Sequence, residues 1–182
     1  VVSDIFVDDN DDLFVSGGYY SKFFIGSVAI STNTGKYHAY LAKFDSNLNP
    51  LWIKKSSSIT DNTRSFIWST RLYFDNSGNL YQLGSHTGSF TYESTPISIS
   101  TGNQFLVKFD LSGNIIGNYS LANTSKEGVF INADAKLVTV TNEPGGNFRL
   151  LQYSGITTQD WAVSSTNTTY GTAIANFTKV DK

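Results

Sequence analysis

The chain contains no cysteine and no methionine, and only 3 of its 182 residues are proline. Without cysteine, a disulfide framework, a thiol nucleophile and a thiolate zinc site are all excluded. Methionine is missing even at position 1, where the sequence has Val1. We therefore expect a processed or trimmed piece of a longer protein. No sequence motif indicates a cofactor, and none is predicted.

Charge is scarce as well. Charged residues make up 15% of the chain and the formal net charge is -2. Because no basic cluster is present, the sequence lacks the electrostatic pattern typical of nucleic-acid binding and of helices that lie on membrane surfaces. It also lacks a run of about 18 apolar residues, which a membrane-spanning helix requires. We predict neither a nucleic-acid partner nor insertion into a membrane.

The sequence is rich in aromatic residues, which make up 14% of it, and it repeats itself. Leu13–Gly17 and Leu41–Asp45 return as Leu80–Gly84 and Leu106–Asp110. Such a period, about 65 residues, within short apolar runs separated by Asp, Asn and Gly turns, predicts a series of similar small β-sheets.

Each repeat is predicted to contain four strands, A to D, with a long connection between B and C. Strands A and B are expected at 5–7 and 13–15, at 72–74 and 80–83, and at 129–131 and 137–140. Strands C and D are expected at 39–44 and 51–54, at 104–109 and 115–119, and at 147–153 and 160–163. The first two B–C connections are predicted to form hairpin arms, 23–25 with 28–30 and 90–92 with 97–99.

Four-stranded units that bury both faces against neighbours are the units of a β-propeller, which has about 4 to 8 blades. The expected fold is all-β, a partial propeller of three antiparallel blades at 1–58, 59–125 and 126–165, with the first strand of a fourth within 166–182. Three blades cannot close a ring, so either the rest of the chain or another protein is expected to complete it. The recurring aromatic residues Trp52, Trp161, Phe44 and Phe109 are predicted to have structural roles, the tryptophans by packing between blades.

These motifs resemble the seven-bladed β-propeller repeat often called SBBP. The likeness is carried by Leu13–Gly17, Phe24–Ser27, Tyr40–Asp45 and Leu51-Trp52, and in the second unit by Ser77–Tyr81 and Phe105–Asp110. The third unit keeps only the frame and Trp161, without an arm. The resemblance implies a large secreted or cell-surface bacterial protein, typical of Bacteroidetes, with a scaffold or binding role. It implies no catalytic residues.

Candidate binding residues lie in or beside the long connections. They are Tyr19, Tyr20, Tyr37, His38, His86 and Tyr92. Exposed aromatic rings often carry binding energy for proteins and sugars. The alternative, which we favour for the tyrosines, is that their rings pack the arms onto their own blades. The two histidines are expected to be solvated loop residues rather than metal ligands.

One acidic segment is a weak calcium candidate, because calcium prefers carboxylate oxygens. Its residues are Asp8, Asp9, Asp11 and Asp12. The segment lacks the glycine and terminal glutamate of an EF-hand loop, and it occupies the position of a turn between strands A and B. We therefore interpret it as a turn and predict no metal site.

Catalytic motifs are absent from the sequence. No Gly-x-Ser-x-Gly elbow occurs. A glycosidase pair could be drawn from Glu93, Glu127, Glu143 or the aspartates, but the sequence does not set the separation of the two carboxylates. The expected function is a non-catalytic interaction module that binds a protein through its loop face. Two alternatives remain, a carbohydrate-binding adhesin and part of a propeller enzyme such as a glycoside hydrolase.

Overall fold

The computed structural model describes residues 1–31, 35–57, 67–87, 89–97, 104–121, 128–132, 134–143, 147–154 and 158–164. These ranges contain sixteen strands in antiparallel sheets, so the chain is all-β as predicted. The described strands do not close into a barrel or a propeller. This described part also contains no helix with the length and hydropathy of a membrane span.

The strands follow the predicted order, and most extend beyond the predicted bounds. They are β1 (Val2–Val7), β2 (Leu13–Tyr19), β3 (Lys22–Ile25), β4 (Val28–Ser31), β5 (His38–Phe44), β6 (Pro50–Ser57), β7 (Ile67–Phe74), β8 (Leu80–His86), β9 (Phe90–Tyr92), β10 (Thr95–Ile97), β11 (Gln104–Phe109), β12 (Ile115–Leu121), β13 (Val129–Ile131), β14 (Leu137–Glu143), β15 (Asn147–Ser154) and β16 (Thr158–Ser164).

Each predicted unit forms a four-stranded meander. Sheet one contains β1, β2, β5 and β6, sheet two contains β7, β8, β11 and β12, and sheet three contains β13 to β16. Both hairpin arms form, the first arm from β3 and β4 and the second arm from β9 and β10. The return strand of the second arm begins two residues earlier than predicted, at Thr95, because the turn contains only residues 93–94. The strand predicted to open a fourth unit, within 166–182, lies outside the described residues.

The second arm departs most from the prediction, because it does not stay with its own unit. Strand β9 pairs with β6, which extends sheet one to the order β1-β2-β5-β6-β9-β10. The register places Ser56 opposite Tyr92 and Ser57 opposite Thr91. The B–C connection of the second unit is therefore hydrogen-bonded to strand D of the first.

Sheet two is the centre of the structure, because both of its faces are buried. Phe105, Val107 and Phe109 of β11 pack with Phe14 and Leu41 of sheet one. Alternate side chains point to the opposite face, since side chains along a strand alternate in direction. The second cluster contains Leu83, Leu106, Val129, Ile131 and Leu137, which join sheet two to sheet three.

Among the described residues, one turn geometry occurs five times, in three A–B turns and two C–D turns. Its first residue is Asp8, Asp45, Asp75, Asp110 or Asn132, whose side-chain oxygen accepts backbone N–H groups two or four residues later. Its fourth residue has a positive φ, at Asp11, Leu48, Gly78, Gly113 and Ala135. A short Asp or Asn side chain favours such a turn by bonding the backbone locally.

Leu48 occupies the left-handed position of its turn at φ 64 and is 66% exposed. A side chain with a Cβ destabilises this conformation by about 1–2 kcal/mol, and glycine removes that penalty at the expense of a more flexible unfolded chain. We expect Leu48→Gly to raise the free energy of unfolding by about 1 kcal/mol in urea titrations. Gly78→Ala, at the equivalent position with φ 75, should lower it by a similar amount. A lower free energy of unfolding in Leu48→Gly would contradict the interpretation that Leu48 is strained by its positive φ.

Three turn aspartates have a lowered pKa. Hydrogen bonds from Asn49 lower the pKa of Asp45. Burial raises the pKa of Asp75 and of Asp110, but hydrogen bonds from Asn79 and from Asn114 outweigh it and hold both values below the usual range. Because the folded pKa lies below the unfolded one, these carboxylates stabilise the fold at neutral pH.

That contribution is fully present above the unfolded pKa, about 3.9, and is lost as pH falls through the lower folded values. We expect the thermal midpoint of unfolding to fall steeply below about pH 4. In the triple variant Asp45→Asn, Asp75→Asn and Asp110→Asn, the midpoint should fall less steeply. Asparagine keeps the turn acceptor, as Asn132 does. Equal acid slopes in the two proteins would contradict this account.

Candidate functional site

Three aromatic side chains meet where the first B–C connection reaches sheet two. We call Tyr20, Tyr37 and Trp68 the aromatic patch. The ring centroids of Tyr20 and Tyr37 are 5.0 Å apart, and those of Tyr37 and Trp68 are 5.3 Å apart. Tyr20 is 51% exposed and Tyr37 is 42% exposed, while Trp68 is half-buried. The patch therefore offers a row of rings to solvent.

Two local features hold the patch in place. The Ile67 N–H donates to the Tyr37 carbonyl at 3.0 Å, which joins the end of the first connection to the first residue of β7. Gly18 leaves room for the indole of Trp68, because a Cβ at Gly18 would lie 2.9 Å from the ring. The patch thus spans two units, with Tyr20 and Tyr37 from the first and Trp68 from the second.

The relative tilt of the three rings in the patch favours a protein ligand over a sugar. Neighbouring ring planes are tilted by 55° and 57°. They do not form the flat platform on which a sugar ring stacks across adjacent side chains. Tilted rings with phenolic hydroxyls suit a contoured protein surface, where tyrosine and tryptophan supply much of the binding energy.

The two histidines are buried, which corrects the expectation that they are solvated. His38 is 1% exposed and His86 is 2% exposed. The Nδ1 atom of His38 lies 3.1 Å from the Ser56 carbonyl oxygen, and the His86 ring packs at 5.7 Å from that of Phe90. Burial lowers the pKa of His38, and the bond to Ser56 opposes this only in part. Histidine suits these sites because its ring combines an apolar body with a hydrogen-bonding nitrogen.

Tyr19 and Tyr92 are also buried. The Tyr19 ring lies 5.3 Å from that of Phe23 in the first arm, and burial, with the nearby Glu93, raises its pKa to about 12. Tyr92 is 0% exposed and packs at 5.5 Å from Phe109. These two rings pack the arms onto the sheets. Of the six candidate binding residues, only Tyr20 and Tyr37 are exposed to a partner.

The acidic segment forms a turn between β1 and β2. Asp8 accepts the N–H groups of Asn10 and Asp12, and Asp12 forms an ion pair with Lys43 at 2.8 Å. Asp9 and Asp11 are exposed. Within the described ranges, no group of three His, Asp or Glu side chains is placed to hold a metal ion.

Among the glutamates considered for glycoside hydrolysis, Glu93 lies at the turn of the second arm, where it accepts the Lys55 N–H at 2.8 Å. Its backbone N–H donates to the Lys55 carbonyl at 2.9 Å. Both contacts fasten the second arm to β6. Glu127 and the side chain of Glu143 lie outside the described residues.

Two of the aromatic residues assigned structural roles, Trp52 and Phe109, pack at the contact between sheet one and sheet two. Trp52 donates from Nε1 to the Leu111 carbonyl at 3.2 Å, which connects sheet one to the C–D turn of sheet two. Phe109 is 0% exposed and Phe44 is 9% exposed. Trp161 lies in β16, and its side chain is outside the described residues.

Sequence reasoning did not identify Trp68, because strand A of the second unit was predicted to begin at Leu72. The strand begins at Ile67 instead. The adjacent apolar pair Ile67-Trp68 before the polar Ser69-Thr70 was the available signal. No protein-family model matches the chain, and no curated protein matches it either.

Proposed function

We propose that this chain is a non-catalytic interaction module of a secreted or cell-surface protein, built from stacked units of a β-propeller, and that it binds a protein partner through the aromatic patch. The observation that carries the proposal is the exposed row of Tyr20, Tyr37 and Trp68 at the junction of two units. The secreted location rests on the composition and on the resemblance stated above.

The propeller assignment is supported by how consecutive sheets meet. Sheets one, two and three each contain a four-stranded antiparallel meander in chain order. The first strand of sheet two, β7, lies against β1, β2 and β5 of sheet one, and β13 of sheet three lies against β7 in turn. Repeated stacking of four-stranded meanders in sequence order is the arrangement of propeller blades.

The position of the patch also suits the proposed role. It lies at the end of the sheets where β2 ends and where β5 and β7 begin. The end of β6 is there too, since the Ser56 carbonyl contacts His38 at the start of β5. Loops that join stacked strands at one end are common binding surfaces, because a rigid scaffold positions them.

A protein partner fits the patch better than a glycan. Tyrosine and tryptophan are enriched among residues that dominate protein binding energy, in partly enclosed clusters. A glycan adhesin would be indicated by binding on a glycan array that is lost in the double variant Tyr20→Ser and Tyr37→Ser. That result would replace the protein-binding proposal with the adhesin alternative.

The direct test is photo-crosslinking in the native full-length protein. A benzoylphenylalanine at position 37 is expected to crosslink to another protein in the cells that make it, and one at position 20 to the same protein. Position 51 is the matched control, because Leu51 is 52% exposed and lies at the opposite end of β6. Crosslinking from position 51 but not from positions 20 and 37 would reject the patch as the binding site.

A further inference from the structure

The first arm and the second arm are equivalent elements of the repeat. Phe23 and Phe90 begin the buried side of each arm, and Ile30 and Ile97 end it, each of the two isoleucines being 3% exposed. The turn residue that leaves the first strand has a positive φ in both, 58° at Gly26 and 53° at Glu93. The equivalence therefore extends to backbone conformation.

The second arm fastens sheet two to sheet one. Its strand β9 pairs antiparallel with β6, and the pairing is reinforced by a 2.9 Å contact between the Ser57 and Thr91 hydroxyl oxygens. Glu93 adds two hydrogen bonds with the backbone of Lys55. An arm of one unit is thus an additional strand for the unit before it.

The edge of β3 in the first arm is equivalent to the edge of β9 that pairs with β6. Among the described strands, β3 pairs only with β4, and these two form a two-stranded sheet of their own. Phe24 lies at the position equivalent to Thr91 and is 62% exposed. An unpaired strand edge beside an exposed aromatic ring is a surface suited to pairing with another strand.

The outward face of sheet one, which carries Ile5 and Val7, is also apolar and exposed. Ile5 is 62% exposed, whereas its equivalent in sheet two, Leu72, is 7% exposed because sheet one covers it. Val7 is 54% exposed, and its equivalent Phe74 packs against Phe6 and Phe14 of sheet one. The face that is covered in sheet two is therefore open in sheet one.

We propose that the first arm and the outward face of sheet one both bind one additional four-stranded unit of this repeat, which belongs to the same polypeptide. The last strand of that unit pairs antiparallel with β3. The nature of this additional unit follows from the contact that sheet one already makes with sheet two. It presents an apolar face equivalent to Phe14, Leu41 and Trp52. The inference rests on the proposed stacking of repeat units and adds the role of the arm as a clasp between units.

Cysteine crosslinking tests the clasp in a chain that has no cysteine of its own. A second copy of residues 1–67 is joined directly in front of Val1, which keeps the spacing of the repeat. Ser57→Cys in the added copy and Phe24→Cys in the original chain are expected to form a disulfide, since opposed residues of antiparallel strands lie within disulfide range. Intact mass under mild oxidation measures it.

Two controls make the result interpretable. Ser57→Cys with Thr91→Cys in the unextended chain should form a disulfide, because these residues are opposed in the existing clasp. Replacing Phe24→Cys by Ala29→Cys, on the far strand of the first arm, should abolish the crosslink. Absence of the Phe24 crosslink while the Thr91 control forms would overturn the inference.

A separate readout distinguishes failure of the clasp from failure of stacking. Ile5→Cys is expected to react with a thiol reagent at least about tenfold more slowly in the extended protein than in the unextended chain. Protection of Ile5→Cys without the Phe24 crosslink would reject the clasp and leave stacking intact. An unprotected Ile5→Cys would reject both. Concentration-dependent dimers of the unextended chain that Phe24→Lys abolishes would assign the surface to a second copy and overturn the proposal.

Discussion

Phe105→Ala is expected to lower the free energy of unfolding by about 3–5 kcal/mol, the range for truncating a fully buried phenylalanine. Phe105 is 0% exposed and lies in the cluster between sheet one and sheet two, with its ring 5.1 Å from that of Phe90. Truncation leaves a cavity that strands fixed by hydrogen bonds on both sides cannot fill. Urea denaturation followed by tyrosine and tryptophan fluorescence measures the loss.

Phe24→Ala, compared in the same 182-residue chain, is the matched control, because it removes the same side chain from a site that is 62% exposed there. Its expected effect is within about 0.5 kcal/mol, as for other surface substitutions. Equal losses in the two variants would show that the contact between sheet one and sheet two does not stabilise the protein, and the described stacking would then be wrong.

Gly84→Ala is expected to lower the free energy of unfolding by about 3 kcal/mol, because the added methyl group overpacks the core. A Cβ at Gly84 would overlap the ring of Phe105, its cross-strand partner, and the backbone carbonyl oxygen of Trp68. The backbone oxygen belongs to β7 and cannot move without breaking the ladder. Thermal and urea unfolding of the variant measure the change.

Gly26→Ala provides the comparison, since its Cβ would meet nothing within 4 Å. Its positive φ of 58° predicts a smaller loss, about 1 kcal/mol. A Gly84→Ala protein as stable as the wild type would contradict the packing of Phe105 over this glycine. The same arrangement recurs in the first unit, where Gly17 lies opposite Tyr40.

The repeating parts of the fold were predictable from the sequence. The alternation of apolar residues and the Asp, Asn and Gly turns locate strands A to D, because both signals are local. The turn at Asp75 illustrates this, since its hydrogen bonds join residues at most six positions apart. Consecutive local signals therefore determine each meander.

The pairing of β9 with β6 was not predictable in the same way. It joins Ser57 to Thr91 across 34 residues, and neither residue has a pattern that distinguishes this partner from strands of its own unit. The burial of His38 and His86 was missed for a related reason. A histidine in a polar connection gives no sign of the distant strand that covers it, such as the strand of Ser56, 18 residues from His38, or that of Phe105, whose ring contacts His86.

The candidate site was predicted in part. Tyr20 and Tyr37 were named from their place in the first connection, and the structure brings them together. Trp68 completes the row from the next unit, and its contribution depends on the 3.0 Å bond between the Ile67 N–H and the Tyr37 carbonyl. Such a contact between units is a tertiary feature that single-sequence patterns do not encode.

The most direct test of the stacked-unit account is an experimental structure of the native full-length protein, read at Ile5 and Val7. Both side chains are exposed in the described chain, at 62% and 54%. The account predicts that another four-stranded unit of the repeat covers them, with exposures near the 7% of Leu72. A native structure in which both side chains remain open to solvent would contradict it.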